Sequence, residues 1–300
     1  MNRHALVRRG FTLVELLLSL IVTAIVGAAL VRMVLGQARF MDQQEAWRGA
    51  RAVARGGVNR LASDLRMVEA TNGVSAAVAG GQDFTVRVPY AFGVICLAAG
   101  NTLTLSMLPV DSAMYNAPGH SGFAVRADDG TYAYYTSTVL DGIPANIGVG
   151  NCTGVAAPDK PITTLASMNG SPAGNTITVT ATAAFNPPVK KGQIVFLYRR
   201  IRYQFKNSVA LAGRTGLFRA PVDAVGGPEE EIATPFAATA RVNFYVLNNA
   251  VAQAAVPGTL GDIRGFELVL DGMSERAPQG SATYKTANVR TSVFFENRPD

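Results

Sequence analysis

The chain has 300 residues, with 30 Gly, 15 Pro and only 16% charged side chains, enough for one or two domains and better suited to strands and turns than to a helical bundle. Its formal charge of +6 is not gathered into a basic groove: three arginines precede Gly10, and from Ala70 onward 17 basic residues stand against 16 acidic ones. The bulk of the chain is nearly neutral, which excludes treating its high isoelectric point as evidence for nucleic-acid binding.

Residues 1–10 form a short basic leader without an acid, a composition that holds a segment on the cytoplasmic side of a membrane. From 11 to 31 the only ionisable side chain is Glu15. At the helical rise these residues span roughly 31 Å, about the hydrocarbon thickness of a bilayer. A carboxylate near the end of such a span is unfavourable in lipid and implies a partner or a function. Two ordinary readings accompany this one: a bitopic anchor with an interfacial Glu, and a secretory signal cut at Ala28-Ala29.

The order Arg9-Gly10-Phe11-Thr12-Leu13-Val14-Glu15 resembles the class III signal of type IV prepilins. That resemblance implies cleavage between Gly10 and Phe11 by a membrane-embedded prepilin peptidase, N-methylation of Phe11, and retention of the apolar helix. It makes Glu15 the fifth residue of the mature chain. Glu15 then lies about one helical turn from the new amine, so its carboxylate can pair with the Phe11 amine of a neighbouring subunit.

Residues 32–71 read as an amphipathic stem helix continuing the membrane segment. Phe40, Trp47, Ala54, Leu61, Leu65 and Val68 recur at spacings of seven, four and three, interleaved with Arg48, Arg51, Arg55, Arg60 and Arg66. The apolar face is expected to lie on a sheet and the basic face to meet water or neighbouring subunits. Gly56-Gly57 weakens the middle by about 1 kcal/mol per glycine and marks a candidate bend.

From residue 72 to 300 the pattern is that of a β-rich head. Phe84-Thr85-Val86-Arg87-Val88, Thr102-Leu103-Thr104-Leu105 and Thr176-Ile177-Thr178-Val179-Thr180 alternate at period two, and further strands are expected over 193–206, 241–247, 266–270 and 288–295. Helix first and strands afterwards predict one α+β unit: a long N-terminal helix on a predominantly antiparallel sheet. Residues 142–174, rich in Gly, Pro, Ala and Thr, read as an insertion or long surface loop. Cys96 and Cys152 both fall in the segment expected outside the cytoplasm, where a bridge closing the stretch of more than fifty residues between them would contribute roughly 4 kcal/mol; two separate buried thiols are the alternative.

A second resemblance lies in the C-terminal half. Ile201-Arg202-Tyr203-Gln204-Phe205, Gly216-Leu217-Phe218-Arg219, Val242-Asn243-Phe244-Tyr245-Val246 and Ile263-Arg264-Gly265-Phe266-Glu267-Leu268 are similar in order to large (PilW-like) minor pilins and to J-type pseudopilins of type II secretion. Those families imply a structural subunit of the inner membrane, with its amino terminus in the cytoplasm and its head in the periplasm, later part of a filament or the cell surface. The implied partners are other minor and major pilins or pseudopilins, an inner-membrane assembly platform and membrane lipid. The size of the head favours a minor pilin that primes or caps a type IV pilus near its tip. The J-type pseudopilin is the first alternative and an adhesive or DNA-uptake tip module a more distant one.

Catalytic and cofactor readings are weak. His120, Ser121 and Asp111 can be assembled into a triad on paper, but adjacent Ser and His in a Gly-Pro-rich loop provide no nucleophile elbow. Two distant cysteines and one histidine beyond the leader lack a zinc-ligand pattern. Asp128-Asp129-Gly130 and Glu229-Glu230-Glu231 lack an EF-hand progression, and no Walker or GxGxxG motif is present. No enzyme activity, cofactor or metal is expected.

Overall fold

The computed structural model describes residues 12–69, 71–107, 120–128, 130–136, 176–223 and 228–295. The leader, Phe11, Asp111, Asp129, Cys152 and the expected insertion at 142–174 lie outside them.

Among the described residues one α-helix, α1 (Leu13–Leu65), precedes twelve strands. These are β1 (Val74–Ala77), β2 (Asp83–Ala99), β3 (Thr102–Met107), β4 (Gly122–Arg126), β5 (Tyr132–Thr136) and β6 (Thr176–Thr180), then β7 (Ile194–Asn207), β8 (Thr215–Pro221), β9 (Glu230–Phe236), β10 (Arg241–Val246), β11 (Ile263–Met273) and β12 (Thr286–Phe294). They join in one sheet with the path β10-β11-β9-β8-β7-β2-β3-β6, and β12 also pairs with β11, β1 with β2, and β4 with β5 and β7. The long pairings are antiparallel, including β2 with β7 from Asp83↔Gln204 to Val94↔Ile194. The architecture is α+β, with a long apolar amino-terminal helix packed on a large antiparallel sheet.

β7 is the strand on which the sheet divides. One edge runs along β2; the other is shared, with Val195 to Tyr198 pairing β4 and Ile201 to Asn207 pairing β8. Two cores result. The first lies under α1 and joins Leu61 and Leu65 to Phe84, Tyr203, Phe244 and Phe266. The rings of Phe84 and Tyr203 stack at 5.5 Å, and that of Phe266 lies 5.0 Å from Phe84. The second core lies among β2, β3, β4, β6 and β7 and contains Ile95, Leu105, Phe123, Val179 and Leu197. Period-two alternation places these side chains inward because each strand buries one face.

α1 reaches the sheet only with its last turns. Ala50, Ala54, Gly57, Leu61, Ala62 and Leu65 are buried, against β9, β11 and β12. The expected apolar stripe therefore holds for Ala54, Leu61, Leu65 and Val68 but not for its first two members: Phe40 is 61% exposed and Trp47 41% exposed. The sheet ends before it reaches them, and Trp47 instead carries the Arg51 guanidinium 4.1 Å above its ring. The helix also stops earlier than the expected end near residue 70. Its last turn tightens as the Met67 and Val68 N–H groups bond three residues back, to Asp64 and Leu65.

α1 runs unbroken through Gly56-Gly57. Gly57 is a point of close approach: a Cβ there would stand 2.8 Å from Phe236 Cζ and 3.1 Å from Leu270 Cδ1. On the facing strand, a Cβ at Gly272 would lie 2.2 Å from the Ala50 carbonyl oxygen. Small residues on both partners let the helix backbone descend onto β11, and the glycines' cost in helix or strand propensity is offset by that contact.

Candidate functional site

The amino-terminal end of α1 is the candidate site. Thr12 has an extended backbone and its Oγ1 accepts a hydrogen bond from the Glu15 N–H at 3.3 Å, so Thr12 is the helix N-cap. Thr12-Leu13-Val14-Glu15 has the spacing of a capping box, a signal present in the sequence that the reading of the Glu alone passed over. Glu15 thus sits in the first turn, where unpaired N–H groups and the helix dipole favour a negative charge. Gly10 and Phe11 lie outside the described residues.

Beyond Glu15 the helix offers an apolar surface that the other described residues do not cover. Its most apolar eighteen-residue window has a mean hydropathy of 2.5, and none of that window is buried within the chain. The two hydroxyls in this stretch are turned onto the helix: Ser19 Oγ donates to the Leu16 carbonyl at 2.8 Å and Thr23 Oγ1 to the Ser19 carbonyl at 2.7 Å. A helix apolar on all sides, with its few polar groups satisfied internally, is built for lipid or for the flanks of other helices.

Farther along, a loop from the head secures the stem. Asp42 accepts from the Gln279 backbone N–H at 2.5 Å and from Arg276 Nη2 at 3.3 Å, while Glu45 lies 3.8 Å from the same guanidinium. Sequence spacing gave no sign of this contact, because Asp42 and the loop after β11 are distant in the chain.

The remaining sequence candidates do not converge on a catalytic centre among the described residues. His120 Nδ1 lies 3.0 Å from the Tyr90 hydroxyl, and burial, aided by Arg199, lowers the His120 pKa to about 4. Ser121 Oγ accepts from the Arg200 N–H at 2.8 Å. Asp128 pairs with Lys190 at 2.6 Å and Glu229 with Lys206 at 2.5 Å, both on the surface. Glu231 ties down a turn, accepting from Ser208 Oγ and the Val209 and Ala210 N–H groups; although burial pushes its carboxyl up, these bonds hold it below the usual range. Cys96 is buried on β2.

Residues 7–31 match the family model of the prokaryotic N-terminal methylation motif. No curated protein and no solved structure matches the chain. The matched residues cover the end of the leader, the cap and the uncovered half of α1. The motif supports a type IV pilin-like or pseudopilin protein, a structural subunit processed by a prepilin peptidase, associating with other pilins and anchored in a membrane through α1.

Proposed function

We propose that the chain is a minor pilin, cleaved after Gly10, N-methylated on Phe11 and incorporated near the tip of a type IV pilus, where it primes or caps assembly. One observation carries this reading. The methylation motif runs directly into a helix whose first half is apolar and uncovered, while its last turns are fixed to a large head. In the membrane that first half is solvated by lipid; in a filament it is solvated by the helices of neighbouring subunits. Assembly transfers it from one apolar medium to the other, so the apolar surface itself supplies little preference between them.

Direction and register come from charge. Cleavage creates an ammonium at Phe11, and Glu15 carries the carboxylate that pairs with such an amine on a neighbouring subunit. In an apolar setting an unpaired charge of either sign is costly, so only the register that joins them is stable. The head supports a minor rather than a major role: well over two hundred residues follow α1, a bulk hard to repeat at every position of a close-packed filament. In the oxidising periplasm a Cys96–Cys152 bridge would close the segment between β2 and the residue-142–174 region.

Mass spectrometry of the amino terminus purified from membranes or filaments tests the processing step. A chain beginning at N-methylated Phe11 is expected. A terminus at Met1 or after Ala29 would overturn the proposal. Deletion separates the roles: loss of pili agrees with the minor pilin, whereas loss of secreted proteins with pili intact reassigns the chain as a J-type pseudopilin.

A further inference from the structure

The second notable surface is a cleft of about 420 Å³ on the head, where the end of α1 meets β2, β7 and β8. Its walls include Met67, Val88, Tyr90, Phe92, Phe196 and Arg199, with Asp64 and Arg219 at one side. A bulge builds it. The β2–β7 register passes from Pro89↔Tyr198 to Ala91↔Leu197, leaving Tyr90 as the extra residue, and the Arg199 guanidinium lies 4.3 Å from the Tyr90 ring centroid. Tyr90 is held in turn by His120, whose Nδ1 is 3.0 Å from the phenol oxygen.

β7 carries three arginines within four positions, and two of them show what the third lacks. Arg200 directs Nε and Nη2 onto the two oxygens of Asp223, and Arg202 directs the same edge onto Asp83. In Arg199 the equivalent Nε and Nη2 are buried without a hydrogen-bond partner among the described residues. Buried donors left unpaired carry the full penalty of lost hydration. The charges around the cleft do not cancel either. Among its lining residues Asp64 is paired with Arg219 at 3.0 Å, which leaves Arg199 as the surplus cation. Tyr90 and His120 add no charge at neutral pH, since burial raises the phenol and lowers the imidazole.

We infer that this cleft binds a small organic monocarboxylate with an aromatic body, its carboxylate received by the Nε/Nη2 edge of Arg199 and its ring by Tyr90, Phe92 and Phe196. The planar fork suits a carboxylate as it does in Arg200 and Arg202. Three aromatic walls select a flat apolar body. Nε and Nη2 are sealed from water, so the ligand enters by moving a half-exposed wall residue: Met67 is 45% exposed and Phe92 40% exposed. The inference is independent of the pilus reading, because it rests on the head alone.

Fluorine NMR of 4-fluorophenylacetate, titrated with the full-length chain in non-ionic micelles, tests it, with 4-fluorobenzyl alcohol as the uncharged counterpart. Saturable broadening of the acid and none of the alcohol is expected. Arg199→Gln should weaken acid binding at least about tenfold, Arg199→Lys less than Gln, and Phe92→Ala several-fold, consistent with the strength of a charge-assisted fork and one apolar wall. Absence of saturation, equal binding of acid and alcohol, or undiminished binding by folded Arg199→Gln would each overturn the inference. The acid-against-alcohol comparison is made on the unsubstituted chain, so it decides the matter even where Arg199→Gln does not fold.

Discussion

The two halves of α1 use one backbone for opposite ends. The first is lined with large aliphatic side chains, Leu16, Leu17, Leu20, Ile21 and Ile25 among them, all exposed on the isolated chain. The second buries small residues, Ala50, Ala54 and Gly57, before Leu61 and Leu65 close the stripe. Large residues in the first half keep the surface general, able to exchange lipid for any helix flank. Small residues in the second make it specific, since they bring the helix backbone against β11 in one position only. Hydropathy distinguishes the two poorly; side-chain volume distinguishes them well.

Substitutions at the two ends should therefore fail differently. The largest effects belong to the amino-terminal end. A residue bulkier than glycine at Gly10 should leave the unprocessed precursor, seen as a heavier band in membranes. Glu15→Ala should be processed normally yet incorporate at least about tenfold less into filaments, because stranding the partner amine in an apolar setting costs about 3–5 kcal/mol. Normal filaments from that variant would remove Glu15 from the mechanism. Neither change should alter the urea midpoint of the head.

The stem end should show the reverse. Leu61→Ala empties fully buried volume and should cost about 2–5 kcal/mol in chemical denaturation of the full-length chain in micelles. Leu20→Ala, the same change on the uncovered half, should stay within about 0.5 kcal/mol. Equal effects would mean that the halves are not energetically distinct.

Gly56 and Gly57 sharpen the contrast to a single peptide bond. A Cβ at Gly56 meets nothing within 4 Å, so Gly56→Ala should stabilise the helix by up to about 1 kcal/mol. Gly57→Ala drives a methyl into Phe236 and should destabilise by about 1–3 kcal/mol. Opposite shifts in Tm are the expected readout.

The smallest effect concerns the head's ion pairs. The Arg202 guanidinium lowers the Asp83 carboxyl, and at Asp223 burial pushes the carboxyl up while hydrogen bonds from Arg200 and Ser121 and the Arg200 charge together hold it below the usual range. Groups depressed in the folded state contribute stability above their unfolded value, 3.8 for Asp, and lose it as pH falls through the lower folded value. The urea midpoint should drop below about pH 4, and Asp83→Asn should flatten that drop, by about 1 kcal/mol or less for a partly exposed pair.

Much of the fold was legible because periodicity reports burial directly. The alternation in Thr102-Leu103-Thr104-Leu105 gives β3, and the run around Ile201 to Phe205 gives the centre of β7. The heptad-like recurrence of Phe40 and Trp47 with Leu61 misled because a repeating pattern carries no information about where the opposing sheet stops. Gly57 was unreadable as a contact point, for its need of space is set by Phe236 and Leu270, far away in the chain. The methylation motif was legible because its pattern is local, falling at residues 7–31, whereas the Thr12 cap lay in the same stretch and was passed over. The Arg199 cleft was not legible, since an unpaired arginine is recognised only after Asp83 and Asp223 have chosen its neighbours.

The divided strand β7 also sets the order of events during folding. The chain is synthesised from its amino end, so β2 arrives early and finds β3 at once through the short turn after Ala99. Its other edge must wait until everything between Ala99 and Ile194 has been delivered. Both cores include β7, and β7 also supplies the edges for β4 and β8. Neither lobe can close ahead of the other, so the head matures late and as a unit. Until then a long unpaired edge is presented to solvent, the form in which a nascent chain is most exposed to mispairing and to proteolysis.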